Sequence, residues 1–103
     1  MHLTMNRFRV RAGHEDAFEE VWRTRDSHLA SVDGFQSFHL LRGGTRDGVT
    51  LYASHTAWRD RAAFEAWTRS QAFRDAHKGA RSHAEMYDGP PVLETFDSVQ
   101  SLG

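Results

Sequence analysis

The chain has no cysteine among its 103 residues, which excludes disulfides, thiolate metal sites and cysteine nucleophiles. It has no surplus of either charge. The 13 Lys and Arg against 14 Asp and Glu leave a net charge of −1, which excludes a general nucleic-acid or polyanion binder. No apolar run approaches the length of a membrane span, and MHLTMNRFRV lacks the apolar centre of a signal peptide. The expectation is a cytoplasmic protein with no membrane partner. Hydrolase, nucleotide-binding and zinc signatures are missing too: there is no GxSxG, P-loop, HExxH or CxxC, and no recognisable flavin or nicotinamide site. Repeats, linkers and low-complexity tracts are equally absent.

What the chain does have is 39% hydrophobic and 12% aromatic residues, the make-up of a globular protein. Its length allows one domain, residues 1–103, with a core small enough that further burial in an oligomer is expected.

Residues 3–11 alternate, with Leu3 and Met5 on one side and Asn6, Phe8 and Val10 on the other, which predicts a strand that Gly13 ends. From His14 to Ser31 the period becomes helical: Phe18, Val21, Trp22, Arg25 and Leu29 share one face, and acidic residues crowd the first turns. Asp33-Gly34 marks a turn before a second strand, GFQSFHLLRGG. TRDG then leads into a third, VTLYASHTAW. Asp60 predicts an N-cap for a helix over RAAFEAWTR, burying Ala63, Phe64 and Trp67. Ser70 predicts a second N-cap, restarting a helix through Phe73 to His77, and Gly79 a stop. Residues 79–91 show no period and read as a long loop before a last strand, VLETFDSV.

The order β-α-β-β-α-β predicts an α+β, ferredoxin-like fold: an antiparallel sheet with helices on one face. Phe8, Phe38, Leu40, Leu51, Tyr52 and Phe96 supply apolar groups to both sheet faces. A homodimer, sheet against sheet as a dimeric α+β barrel, would cover the second face.

Seven histidines need placing. His2, His14 and His28 read as solvated, and His39 and His55 as sheet-packing or interface residues. His77 and His83, six apart, make a weak zinc pair with no third ligand. On an unbroken helix Trp67 and His77 would lie about 15 Å apart along the axis. A break at Ser70 lets both face one cavity. Taken alone, His77 reads as a surface or capping residue, Asn6 as a strand-edge polar residue, and Phe64 and Phe73 as core.

The stretch WTRSQAFRDAHKGARS resembles the corresponding segment of IsdG-type heme-degrading monooxygenases, in the antibiotic biosynthesis monooxygenase superfamily. MNRFRVRAGHEDAFEEVW, GFQSFHLLRG and AFEAW extend the resemblance over about residues 3–99. Its specific part is the trio Asn6, Trp67 and His77. The resemblance implies His77 as the ligand of heme iron through a neutral imidazole, Asn6 as a hydrogen-bond donor on the distal side, and Trp67 as the bulk that ruffles the macrocycle. Trp22, Phe64 and Phe73 would wall the heme pocket, and Arg25 would meet a propionate. Heme would be both substrate and cofactor, consumed with O2 and electrons from a reductase or small reductant, giving iron and a linear tetrapyrrole. Two alternatives stand beside this: a cofactor-free monooxygenase of quinols or aromatics, which would not need His77, and a non-enzymatic heme-binding or transfer protein, which would not need Asn6.

Overall fold

Period-two alternation builds β1 (His2–Arg11), where His2, Thr4, Phe8 and Val10 are buried while Arg7, Arg9 and Arg11 are exposed. The structure, a computed structural model, describes residues 1–25, 28–76 and 80–103, with side chains described outside 76–82. After Gly13, at φ +98°, the chain enters α1 (Glu15–Thr24). Glu15 accepts the Gly13 N–H at 2.7 Å, and Phe18 is fully buried against the sheet.

The periodicity predicts a helix to Ser31, but α1 stops at Thr24 and Arg25 is extended, with φ −77° and ψ 128°. The Thr24 hydroxyl donates to the Glu20 carbonyl at 2.9 Å and approaches the Val21 carbonyl, the acceptor that the Arg25 N–H would take in a continuing helix. Leu29 opens a 3₁₀ turn, Leu29–Ser31, preceded by His28 in the left-handed region at φ 59°, and is buried.

β2 (Phe35–Arg46) and β3 (Val49–Trp58) form a hairpin. Asp47 and Gly48 both have positive φ, 53° and 76°, as a two-residue loop matched to the sheet twist requires. Asp60 caps α2 (Arg61–Thr68), its Oδ1 accepting the Ala63 N–H at 2.9 Å. Ser70 then divides the helical stretch as predicted. Its hydroxyl donates to the Trp67 carbonyl at 2.6 Å and accepts the Phe73 N–H at 3.1 Å, ending α2 and starting α3 (Gln71–Ala76).

β4 (Val92–Asp97) completes an antiparallel sheet of order β2-β3-β1-β4, the ferredoxin-like arrangement. Phe8, Val10, Phe18, Tyr52 and Met86 form one core cluster under α1. Leu29, Trp58 and Ala63 form a second under α2. No described helix is long and apolar enough to cross a membrane.

Two further expectations change. The stretch read as a free loop carries 3₁₀ turns over Ala80–Met86, kinked at His83. Met86 is buried, Tyr87 bridges to Val10, and the Asp88 N–H donates to the Arg9 carbonyl at 2.8 Å. Apolar contact with Phe8 and Phe18 pins it. His2, read as solvated, is buried at 2% exposure, its Nδ1 2.7 Å from Asp97 Oδ1. Strand parity turns it inward with Thr4 and Asn6.

The opposite sheet face leaves Leu41, Leu51, Val92 and Phe96 exposed at 38–55%. His39 and His55 pair across β2 and β3 on that face, ring centroids 6.2 Å apart.

Candidate functional site

Three layers converge on one cavity of about 290 Å³. The inward face of the sheet is its floor: Thr4 and Asn6 from β1, Ser54 and Thr56 from β3, Phe38 from β2 and Leu93 from β4. Register decides this grouping, because Asn6 lies opposite Ser54 on one side and Leu93 on the other, and Thr4 opposite Thr56. Phe64, Trp67 and Thr68 of α2 and Phe73 of α3 form the roof, and Trp22, Arg25 and Leu29 close one side.

Six of the seven residues expected at the site therefore meet around one cavity: Asn6, Trp22, Arg25, Phe64, Trp67 and Phe73. His77, the expected iron ligand, lies outside the described residues, as do Lys78 and Gly79. Arg25 reaches the cavity from an extended cap rather than from the helix face that the periodicity suggested.

The break at Ser70 lets Phe73 turn edge-on to Trp67, with ring centroids 4.8 Å apart at 86°. Trp67 in turn tilts against Trp58, centroids 5.4 Å apart. Trp58 is fully buried and donates its indole N–H to Thr4 Oγ1 at 3.1 Å, which ties roof to floor through the core. On the α1 side Trp22 stacks on Phe38 at 17° and 5.7 Å. Such offset ring pairs add stabilisation beyond the area they bury.

Polar groups gather on the floor, where Thr4, Ser54 and Thr56 stand around Asn6. Asn6 Oδ1 is buried and has no hydrogen-bond partner among the described residues. The Arg25 guanidinium lies over the Trp22 ring, 4.8 Å from its centroid. Burial lowers the Arg25 pKa, with Tyr87 opposing that shift, and burial likewise raises the pKa of Tyr87. A slot walled by aromatic rings, with one amide on its floor and a cation at its side, suits a flat apolar ligand bearing an anionic edge. Among the described residues no cluster of three or more His, Cys, Asp or Glu side chains could hold a metal ion by itself.

Beyond the Trp22–Phe38 stack lies a second groove, lined by Glu19, Arg42 and Tyr52 among others. Tyr52 donates to the Glu19 carboxylate, which also accepts from Arg42 at 3.1 Å. Burial, then this bond, pushes the Tyr52 phenol up to about 12.

The sequence reading missed Thr4, Leu29, Phe38, Ser54, Thr56, Thr68 and Leu93 as site residues. For the floor residues a signal existed. Thr4 and Asn6 share parity on the first strand, as Ser54 and Thr56 do on the third, so placing Asn6 inward commits the others once the strands pair.

The family model described as antibiotic biosynthesis monooxygenase matches residues 1–79. The chain is 35% identical over 64 residues to a heme-degrading monooxygenase of Shouchella clausii, covering 62% of this chain and 59% of that relative, less than two thirds of its length. It is 33% identical over 82 residues to a staphylobilin-producing heme oxygenase of Staphylococcus haemolyticus, covering 76% of this chain and 74% of the relative. Among solved structures it is similar to the heme degrader MhuD of Mycobacterium tuberculosis with two hemes bound in its active site. There the TM-score is 0.77 at 28% identity, and both chains are covered fully.

Proposed function

This chain belongs to the antibiotic biosynthesis monooxygenase family, and we propose that within it the chain is a heme-degrading monooxygenase. Heme is the substrate, and its iron supplies the oxygen chemistry when bound, with O2 and electrons from a reductase or small reductant. The products are iron and a linear tetrapyrrole. The observation that carries this reading is the convergence of Asn6 and Trp67, from distant parts of the chain, on one aromatic-walled cavity.

Each wall residue has work to do there. Phe64, Phe73 and Trp22 exclude water from the faces of a flat macrocycle. Trp67, braced by Trp58 and Phe73, presents a rigid bulk that a planar ring can meet only by distorting. Asn6 offers an amide that donates a hydrogen bond without acting as an acid. Arg25 supplies a cation whose burial favours a carboxylate partner such as a propionate. His77 holds the iron through a neutral imidazole nitrogen.

The functional unit is a homodimer that buries the apolar sheet face carrying Leu41, Leu51, Val92 and Phe96. Its place of action is the cytoplasm.

A hemin titration tests the reading. One equivalent is expected to shift the Soret band, His77→Ala to abolish that shift, and reductant with O2 to bleach the band and release chelatable iron. No shift at all refutes heme as the ligand and favours the cofactor-free reading, whereas a shift unchanged by His77→Ala refutes His77 as the residue that holds the iron. A Soret band that survives reductant and O2 makes the protein a heme carrier.

A further inference from the structure

Asn6 is the only asparagine in the chain. The two ends of a primary amide are nearly equal in shape, so hydrogen bonding alone decides which end faces a ligand. An amide that presents its oxygen to the cavity is an acceptor there, and one that presents its NH2 is a donor. In the structure Oδ1 is the buried end and lacks a partner among the described residues. A buried orphan acceptor is costly, and with no hydrogen bond on that oxygen among the described residues nothing there fixes which way the amide faces.

Ser54 is the residue placed to remove it. It is the register partner of Asn6 across β1 and β3, it lines the same cavity, and it is 8% exposed. Residues directly opposed on one face have Cβ atoms about 4.5–5.5 Å apart, so a serine hydroxyl reaches the neighbouring amide by a side-chain rotation. The other register partner of Asn6, Leu93 on β4, has no side-chain donor. Thr56 is a diagonal neighbour, about 7–8 Å away on the same scale. Thr4 lies two residues along the same strand, roughly 7 Å away, and its hydroxyl is held toward the Trp58 indole, whose N–H it accepts.

We propose that Ser54 is a positioning residue for Asn6: on rotating toward the amide, its hydroxyl donates to Asn6 Oδ1, a bond not made in this conformation, and holds the amide NH2 turned into the cavity. The role rests on the reading above, in which Asn6 donates toward the bound substrate. Without the serine the amide turns either way, and one of its two orientations presents an acceptor where a donor is needed.

Two measurements test this, the first without any ligand. Asparagine labelled with ¹³C at Cγ gives a single resonance, because the chain holds one such residue. Ser54→Thr and Ser54→Val form a matched pair that differs by the hydroxyl at nearly constant shape, and Ser54→Ala is a third variant should the β-branched pair disturb folding. The Cγ resonance is expected to stay near the wild-type position in Ser54→Thr. It is expected to move upfield in Ser54→Val and Ser54→Ala, as a carbonyl does on losing a hydrogen bond.

The second measurement uses the hemin complex with fluoride, an anion whose affinity reports donors around the iron. Ser54→Val and Ser54→Ala are expected to weaken fluoride binding roughly tenfold, the loss expected for one hydrogen bond to a charged acceptor, and Ser54→Thr to restore it. A Cγ resonance identical in all four proteins overturns the proposal. Fluoride affinity that ignores the hydroxyl, in complexes that have taken up hemin, overturns it as well. If the wild type takes up no hemin, the heme reading falls, and the Cγ resonance alone decides the role of Ser54.

Discussion

Thr4→Val isolates one hydrogen bond beneath the cavity. The Trp58 indole donates to Thr4 Oγ1 at 3.1 Å, with the two residues 0% and 6% exposed. Valine replaces the hydroxyl by a methyl of similar shape, so the packing stays while the acceptor goes. The indole N–H is then buried without a partner, which costs about 1–3 kcal/mol. At about 2 kcal/mol, and about 4–8 °C per kcal/mol for a domain near this size, the melting temperature falls by about 8–16 °C. Thermal and urea unfolding followed by circular dichroism at one fixed protein concentration measures the loss. The control is the same substitution in a Trp58→Phe background, where no N–H remains to be orphaned and Thr4→Val is expected to be near neutral. The difference between the two backgrounds is the coupling energy, expected at about 2 kcal/mol. An equal cost in both backgrounds would show that the bond contributes nothing and that Thr4 acts through packing alone. The hydrogen bond would then not be what fixes Trp58, the ring on which Trp67 of the roof rests, to the floor of the cavity.

Two further perturbations probe other parts of the structure. Burial and the bond to Glu19 raise the Tyr52 pKa from about 10 to about 12, so the native protein keeps a proton that the unfolded chain loses. The stability tied to keeping the buried phenol protonated is complete below pH 10 and is lost as pH rises from 10 toward 12. Tyr52→Phe should flatten that alkaline loss in unfolding titrations, and an unchanged slope would remove Tyr52 as its cause. On the outer sheet face, Phe96→Asp sets a charge in the exposed apolar patch and is expected to yield a monomer in sedimentation experiments. A dimer of unchanged affinity would place the subunit interface elsewhere.

Features set by a few adjacent residues were legible before the fold was known. Ser70 divides α2 from α3 because one hydroxyl serves the end of one helix and the start of the next, a bond within three residues on each side. Asp60 and the Asp47-Gly48 turn are of the same kind. The end of α1 was not legible, because Arg25 and Leu29 continue the apolar period although the backbone leaves the helix at Thr24. Both residues still arrive at the core side, so the periodicity named the right face by the wrong path. The buried state of His2 was missed because it depends on Asp97 and Phe64, which are close only in the folded chain. Met86 and Tyr87 lack a period because their place is set by Phe8 and Phe18 rather than by a regular element.

By itself the sequence determined the order of the strands and main helices, the parity of β1, the caps at Asp60 and Ser70 and the hairpin turn. These rest on steric and hydrogen-bonding rules that act over a few residues. It also carried, through the trio Asn6, Trp67 and His77, the resemblance to a family. The tertiary structure alone decided what stands around Asn6. Pairing β1 with both β3 and β4 sets Ser54 and Leu93 beside it, and packing α1 and α2 on the same face brings Trp22 and Trp67 over it. Strand register is a long-range choice: a slip of one residue would turn Asn6 to the opposite face and leave the sequence reading of every local element unchanged.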